Sequence, residues 1–475
     1  MGKFWEIIVA FVQDSGIAGF FVDGGWRNLI MILIALVLLF LAIKKDFEPY
    51  LLLPIAFGML LVNLPFVASE VFLKGSTAYN SITLAANVGI TSQQSDYIFE
   101  QFAVFANQLG FSITDGQATT AQLHQLVMLP DFQTAFQAEF GLNAEMTKAI
   151  VSEIEHLYNY DYSGIFGYLY YGVKWGIYPC LIFLCIGATT DFGPLIANKK
   201  TMLLGAAAQL GIFITFVGAI ALGTNGLGWT QFDARIASSI GIIGGADGPT
   251  AILVTSKLAP EYLSSIAVVA YSYMALVPVI QPPIIRALTT KKERLIKMDN
   301  LREVSKTEKI LFPIVVTIIT VLIVPSAGAL IGCLMLGNLV KESGVVPKIT
   351  ETLANTLLFI VTILLGVCVG CTADAATFLT LDTIVIFILG ILAFSVATAG
   401  GVLGGKIMCW ATKGKVNPMI GAAGVSAVPM AARVVHKEGV REDPTNFLLM
   451  HAMGPNVAGV IGSAIAAGVL LLLFL

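Results

Sequence analysis

The chain has 475 residues, of which 57% are hydrophobic and only 12% are charged, and its mean hydropathy is +0.85. Soluble domains carry about 25% charged residues, so this composition excludes a soluble enzyme and predicts a polytopic α-helical membrane protein. The net charge of −3 favours no polyanionic partner, and no nucleic acid is expected to bind.

The apolar runs predict an all-α membrane protein with about ten transmembrane helices. Residues 1–27 mix charged and aromatic side chains and lack a small-residue cleavage site, which indicates an N-terminal interfacial segment rather than a signal peptide. Runs near the length of a span follow from residue 28 onward. The predicted spans are 28–43, 48–67 (the first two transmembrane helices), 166–188, 202–222, 262–288, 310–325, 326–340, 352–370, 381–404 and 445–475.

Residues 68–163 differ from the rest, since they hold ten acidic residues against only two lysines. Amphipathic patterns predict short helices near 97–109 and 147–158. Basic residues concentrate instead at 44–45, 199–200, 291–309 and 406–415, which the positive-inside rule places in the cytoplasm. Residues 68–163 are therefore expected to be an exterior acidic helical insertion, a spacer on the outer face.

Two apolar stretches are broken by Gly and Pro: the first hairpin (235–257) and the second hairpin (417–433). The chain is cytoplasmic at 199–200 and again at 291–309, so one of the three segments between them does not cross. The first hairpin is the natural choice, as a re-entrant segment that opens outward. Basic residues on both sides of the second hairpin predict that it opens inward.

The two hairpins resemble each other when Pro249 is set against Pro429, 180 residues later. Together with their opposite predicted orientation, this indicates an inverted repeat of the kind found in secondary transporters. The first repeat would span 164–290 and the second 310–475, separated by the cytoplasmic charged loop 291–309. The identical pairs are Ile240/Ile420, Gly241/Gly421, Gly244/Gly424, Pro249/Pro429 and Ala251/Ala431.

Asp247 is the only charged residue between Arg235 and Lys257. A lone carboxylate in a membrane segment is costly unless it has partners, and breaks at Gly and Pro leave backbone carbonyls able to supply them. This pattern favours a small-cation site on broken helices. The alternative is a kinked helix in which Asp247 only caps the half-helix that follows.

Other polar residues in the broken segments could join Asp247. Oxygen atoms of this kind suit a hard cation such as Na⁺, whereas thiols and imidazoles suit transition metals. Each residue also has a structural explanation: Asn417 could form a turn, Asn456 an interhelical hydrogen bond and Arg433 a solvated anchor. The set comprises Thr250, Tyr271, Ser272, Tyr273, Asn417, Ser426, Arg433, Asn446, His451 and Asn456.

Several long strings resemble the β subunit of the biotin-dependent, sodium-pumping decarboxylases, which act on oxaloacetate, methylmalonyl-CoA, glutaconyl-CoA or malonate. The resemblance covers about 165–475, and 68–163 looks longer than in oxaloacetate-type subunits, which leaves the acid open. The strings are 190–198 (TDFGPLIAN), 244–252 (GGADGPTAI), 270–278 (AYSYMALVP), 417–433 (NPMIGAAGVSAVPMAAR) and 446–460 (NFLLMHAMGPNVAGV).

The resemblance implies a bacterial inner-membrane, multi-pass subunit that decarboxylates carboxybiotin, consumes a proton and exports Na⁺. Asp247 would bind Na⁺, with Tyr273, Asn417 and Ser426 as further sodium ligands on the sodium and proton pathway. Asp247, Tyr273 and Arg433 would be the catalytic residues, and Asn417 and Arg433 would contact the cofactor.

The resemblance also implies several partners. These are a biotin carrier protein or domain that brings carboxybiotin, a cytoplasmic carboxyltransferase α subunit, a small single-span subunit of the γ or δ type and further copies of this chain. The alternative function is a sodium-coupled secondary transporter of small carboxylates, which would need the same hairpins and cation site but no biotin carrier. A purely structural scaffold would leave Asp247 unexplained.

Overall fold

A computed structural model describes residues 20–21, 25–45, 49–65, 67, 78–79, 81–109, 118–160, 164–223 and 226–475. Nearly all of the predicted interfacial segment 1–27 and parts of the predicted insertion 68–163 lie outside the described residues. The described residues divide into two compact units, one that takes in 64–169 and one formed by 25–63 with 170–475.

The unit at 64–169 is a small helical bundle. Its helices bury one apolar cluster that includes Leu84, Ile98, Phe132, Phe136 and Ile154. Helices over the two predicted amphipathic stretches are confirmed. The elements are β1 (Ala78–Tyr79), antiparallel to β2 (Ala118–Thr119), and the helices Ser81–Val88, Ser92–Leu109, Thr120–Val127, Pro130–Phe140, Ala144–Tyr160 and Ile165–Leu169.

The second unit is also helical, with several helices broken by short 3₁₀ segments. Its α-helices are Gly25–Lys45, Pro49–Val62, Tyr171–Lys174, Ile177–Thr189, Gly193–Ala197, Met202–Ala208, Leu210–Leu222, Ala234–Gly241, Gly248–Leu258, Leu263–Leu288, Lys291–Arg294, Lys306–Ile323, Gly328–Ser343, Pro347–Glu351, Leu358–Gly370, Ala375–Phe378, Leu381–Ala411, Met430–Glu442 and Leu449–Phe474. The 3₁₀ segments are Lys199–Thr201, Ile242–Gly245, Pro260–Tyr262, Pro325–Ala327 and Pro418–Gly424, and Thr352–Leu357 is a π-helical segment.

The helical, multi-pass fold class is confirmed, but the count of about ten spans is not. Within the described residues, five helices are long and apolar enough to cross a membrane, and up to seven if each of two bent pairs forms one span. Breaks at Gly, Pro and 3₁₀ segments shorten most of the other apolar helices. The five are Gly25–Lys45, Lys199–Leu222, Pro347–Gly370, Leu381–Ala411 and Leu449–Phe474.

Small residues allow the helices of this unit to approach closely. Gly187 lies against the backbone of Gly328–Ser343, and Gly337 of that helix lies against the backbone of Ile177–Thr189, so a Cβ at either glycine would overlap a carbonyl oxygen. Gly58 and Gly370 form a similar contact between Pro49–Val62 and Leu358–Gly370. Close backbone approach of this kind is how helices associate in lipid, where burial of apolar side chains gives little advantage.

The last helix, Leu449–Phe474, lies at the centre of the unit. Of its most apolar 18-residue stretch, 61% is buried, against 22% for Gly25–Lys45 and at most 50% for the other three candidate spans. It contacts the arms of both hairpins. A central helix of this kind can present side chains to both breaks at once.

Candidate functional site

The first hairpin breaks immediately before Asp247. Helix Ala234–Gly241 continues as the 3₁₀ segment Ile242–Gly245, Ala246 adopts a left-handed conformation (φ 55°), and helix Gly248–Leu258 then begins. The arms on either side contact each other, as expected for a chain that folds back. Asp247 is the N-cap of the second arm. The capping role offered as the alternative explanation is therefore real, but it uses only one carboxylate oxygen.

Asp247 is buried, with 5% of its surface exposed. Its Oδ1 accepts a hydrogen bond from the Thr250 amide at 3.2 Å, and its Oδ2 accepts one from the Ser463 hydroxyl at 2.7 Å. Among the described residues, no basic side chain forms an ion pair with it. A buried carboxylate needs a compensating charge, so this position favours either a proton or a bound cation.

The second hairpin reaches the first at this break. The 3₁₀ segment Pro418–Gly424 ends in extended backbone at Val425, and the Ser426 amide donates to the Gly245 carbonyl at 2.9 Å. In the 180-residue alignment, Ser426 corresponds to Ala246. Nearly equivalent points of the two hairpins therefore meet, one or two residues from Asp247.

Several buried oxygen atoms near this contact have no hydrogen-bond partner, among them Ser426 Oγ, Asn456 Oδ1 and Gln209 Oε1. The Asn456 amide nitrogen donates to the Val425 carbonyl at 2.7 Å, and that of Gln209 donates to the Gly459 carbonyl at 3.2 Å. In each amide the nitrogen is used and the oxygen is left as an acceptor. Buried acceptors without donors are costly unless something positive satisfies them.

These oxygens fit Na⁺ better than a transition metal. Within the described part of the chain, no group of three or more His, Cys, Asp or Glu side chains could hold a metal ion. The oxygens around Asp247 come from hydroxyls, amides and one carboxylate, and hard cations are bound by oxygen ligands of these kinds. One carboxylate also matches the single charge of Na⁺.

Comparison with known proteins agrees with this chemistry. A sequence profile of the family described as "Na+-transporting oxaloacetate decarboxylase beta subunit" matches residues 27–474. The chain belongs to this family. It is therefore the membrane subunit of a Na⁺-transporting decarboxylase and part of a multi-subunit enzyme.

Three relatives illustrate the range of the family. The chain is 50% identical to the methylmalonyl-CoA decarboxylase subunit beta of Propionigenium modestum over 469 residues, 99% of each chain. It is 49% identical to the oxaloacetate decarboxylase beta chain 2 of Salmonella typhi over 468 residues, 98% of each chain. It is 44% identical to the glutaconyl-CoA decarboxylase subunit beta of Acidaminococcus fermentans over 471 residues, 99% of this chain and 98% of the relative.

The similarity reaches well upstream of residue 165, where the motif-based resemblance began. The expectation that residues 68–163 are longer than the corresponding part of oxaloacetate-type subunits stays a prediction.

The structure brings some predicted site residues of this decarboxylase subunit together and places others apart. Ser426 lies at the hairpin contact, where its amide bonds to Gly245, two residues before Asp247. The Asn417 side chain instead donates to the carbonyls of Arg294 and Ile296 at 3.1 and 2.9 Å. Arg433 is exposed on helix Met430–Glu442.

The two tyrosines have different neighbours. The Tyr273 hydroxyl donates to the Phe387 carbonyl on the long helix Leu381–Ala411. Tyr271 is fully buried, and its ring lies where a Cβ on Gly248 would be. Tyr271 therefore packs directly against the residue after Asp247, a position that helical periodicity alone did not suggest.

Sequence reasoning missed Ser463 and Gln209. Gln209 carried a usable signal, since it is the only strongly polar residue within the apolar run 202–222 and polar residues inside membrane helices default to function. Ser463 carried none, because serine is common at helix interfaces in membranes. Ser463 lies seven residues after Asn456, which places both on the same face of the last helix.

Proposed function

We propose that this subunit decarboxylates carboxybiotin and couples that reaction to Na⁺ export across the bacterial inner membrane. The observation that carries the proposal is the buried Asp247, which lies where the two hairpins touch. It has two hydrogen-bond donors and, in the described parts of the chain, no basic partner. Carboxybiotin supplies the carboxyl group that leaves as CO₂, and the ring nitrogen that carried it takes up one proton.

Asp247 is the group in this proposal that can hold either ion. As a carboxylate it binds Na⁺, together with oxygens of Ser426, Asn456 and Gln209. When a proton reaches Asp247, the negative charge is lost and the affinity for Na⁺ falls. Competition of this kind between two ligands is a reciprocal coupling free energy.

The Ser463 hydroxyl allows Asp247 to change state without leaving an unpaired polar atom. Two acceptors lie within reach of its single proton: Oδ2 of the carboxylate at 2.7 Å and the Val460 carbonyl at 3.0 Å. A hydroxyl is both donor and acceptor, so it can accept from a protonated carboxyl after rotation. Moving one positive charge against about 100 mV costs about 2.3 kcal/mol. Even a modest difference in Na⁺ affinity between the inward-facing and outward-facing states therefore helps to drive export.

The remaining predicted site residues are assigned around this centre. Tyr273 and Asn417 are proposed as further members of the sodium and proton pathway, and Arg433 as the group that meets carboxybiotin. Arg433 is positively charged and exposed, which suits it to bind an anionic group that a soluble carrier brings to the membrane.

The proposed partners are a biotin carrier, a cytoplasmic carboxyltransferase and a small single-span subunit, with further copies of this chain. Relatives named for three different acids align with the chain over nearly their full length. This supports a division of labour in which the carboxyltransferase selects the acid, while the membrane subunit handles only carboxybiotin. The alternative, a sodium-coupled carrier of small carboxylates, explains the cation site but not membership in a decarboxylase family.

The proposal is tested by reconstituting the chain with its partner subunits and measuring uptake of radioactive Na⁺ into inverted vesicles. We expect uptake that requires the decarboxylated acid and stops when avidin blocks biotin. Asp247→Asn should lose uptake and sodium-dependent decarboxylation together, with the complex still assembled. Avidin-insensitive uptake, or sodium-dependent turnover of the variant at the wild-type level, would contradict the proposal.

A further inference from the structure

Two buried asparagines from different parts of the chain hold the same pair of backbone carbonyls. The Asn417 amide donates to the carbonyls of Arg294 and Ile296 at 3.1 and 2.9 Å, and the Asn446 amide donates to the same two at 3.1 and 3.3 Å. Asn417 is fully buried, and Asn446 is 1% exposed. We call these two amides and two carbonyls the amide clamp.

Ion pairs surround the amide clamp and hold the same segments together. Arg294 pairs with Glu442 at 2.8 Å, and Lys297 pairs with Asp443 at 3.0 Å. The Lys297–Asp443 pair is partly exposed, so solvent and salt weaken it, whereas the amides of the clamp are shielded. Loss of one buried amide removes two hydrogen bonds and leaves each carbonyl with only one of its two donors. For this reason the clamp, and not the exposed pair, should dominate the local geometry.

The amide clamp is continuous with the second hairpin. Asn417 uses its remaining oxygen to accept from the Met419 amide at 3.0 Å, which starts the 3₁₀ segment Pro418–Gly424. The Gln281 side chain donates to the Ala422 carbonyl at 2.9 Å in the middle of this segment. The far end is the Ser426 amide on the Gly245 carbonyl. Residues 417–426 are thus held at the start by the clamp and at the end by the first hairpin.

We propose that Asn446 is a positioning residue for the sodium site and acts through the amide clamp on residues 417–426. It lies in neither hairpin and touches none of the oxygens around Asp247 described above. It fixes the carbonyls on which Asn417 depends, and Asn417 fixes the segment that carries Ser426 to Gly245. Sodium affinity is therefore set partly from the end of the hairpin remote from Asp247. The proposal rests on the sodium site described under the proposed function.

The test uses Asn446→Ala in the complete reconstituted enzyme. We expect the Na⁺ concentration for half-maximal decarboxylation to rise roughly threefold to tenfold, as expected for the loss of a buried hydrogen bond, with the maximal rate little changed. Asn446→Leu, which keeps the branched shape but cannot donate, should behave like the alanine variant. Thr445→Ala is the matched control, because Thr445 is exposed and its side chain contacts only Lys297 and Asp443 at the surface.

A second measurement does not depend on pumping. Amide hydrogen exchange over 418–426 should become faster in Asn446→Ala and remain at the wild-type rate in Thr445→Ala, with helices in 81–160 as an internal reference. If Asn446→Ala does not assemble, Asn446→Ser, which retains a donor, should show a smaller increase of the same kind.

Two results would overturn the proposal: exchange over 418–426 that matches wild type, or unchanged sodium dependence in an Asn446 variant. Failure of the sodium site itself is recognised separately, because Asp247→Asn would then leave sodium dependence intact. The exchange experiment would still show whether Asn446 positions the hairpin.

Discussion

The two hairpins share a sequence pattern and meet at one contact, yet they are built differently. The first hairpin has two α-helical arms and carries a charge at its break, Asp247. The second enters as a 3₁₀ segment with extended backbone, has no charged side chain between Asn417 and Arg433, and is anchored by amides at its start. The first hairpin therefore supplies the charge for the proposed sodium site, and the second is positioned by hydrogen bonds to other segments.

The largest effect is expected from removing the charge of the first hairpin. Asp247→Asn keeps the shape and the Thr250 amide contact but cannot hold Na⁺, so sodium transport and coupled decarboxylation should be abolished. The measurement is sodium uptake in reconstituted vesicles, beside assembly of the complex in detergent. Asp299→Asn, which removes an exposed carboxylate, is the control and should retain activity. Sodium uptake that persists in Asp247→Asn would show that another group supplies the charge that holds Na⁺.

A smaller but still large effect is expected from disturbing the geometry of the first hairpin beside that charge. In Gly248→Ala the new Cβ overlaps the Tyr271 ring, so the ring or the start of helix Gly248–Leu258 must move. Overpacking of this kind costs about 1–3 kcal/mol. We expect a lower thermal midpoint in detergent and reduced sodium-dependent turnover. Gly218→Ala is the matched control, because a Cβ there meets nothing within 4 Å. Equal behaviour of the two variants would show that the contact with Tyr271 is unimportant.

Tyr273→Phe should have a moderate effect. The substitution removes only the hydroxyl that donates to the Phe387 carbonyl, and loss of one such bond costs about 0.5–1.5 kcal/mol. If this hydroxyl also serves the proton pathway, as proposed, turnover falls and the sodium and pH profiles shift. Tyr271→Phe, which removes the hydroxyl of the tyrosine two residues earlier, is measured in parallel. A shift seen only in Tyr271→Phe would assign the role in the proton pathway to the hydroxyl of Tyr271.

The smallest effect is expected at Asp443, a partly exposed acid just beyond the helix that follows the second hairpin. The Thr445 hydroxyl and amide, followed by Lys297, lower the pKa of Asp443 to about 2. A lowered pKa stabilises the folded state above the ordinary pKa of about 3.9, and this contribution is lost as the pH falls toward 2. Asp443→Asn should therefore lower the thermal midpoint slightly at neutral pH, and the difference from wild type should shrink below about pH 4. A difference that grows as the pH falls would contradict this assignment.

Sequence reasoning was effective where a residue is unusual for its surroundings. Asp247 could be selected because a lone carboxylate in an apolar, Gly-rich stretch is costly under any fold. The Gly and Pro breaks predicted that residues 235–257 and 417–433 would not be simple helices, and both are interrupted in the structure. Their opposite orientation, and the inverted repeat that depends on it, stay predictions.

The partners of Asp247 depended on tertiary structure. Ser463 is 216 residues away from it in the chain, and only the central position of the last helix brings its hydroxyl to the carboxylate. The separate environments of Tyr271 and Tyr273 depend on how helix Leu263–Leu288 is rotated against its neighbours, which a uniformly apolar helix does not encode strongly. The clamp formed by Asn417 and Asn446 likewise requires two loops to meet.

The amino-acid sequence by itself determined that this is a helical membrane protein, that a buried charge lies in a broken segment and that the chain resembles sodium-pumping decarboxylase subunits. These properties follow from composition and local pattern, because each residue must satisfy the bilayer or the backbone near its own position. The tertiary structure decided which oxygens surround Asp247 and where the second hairpin is anchored. Those contacts join residues far apart in the chain, and the packing of small residues that permits them has no local signature.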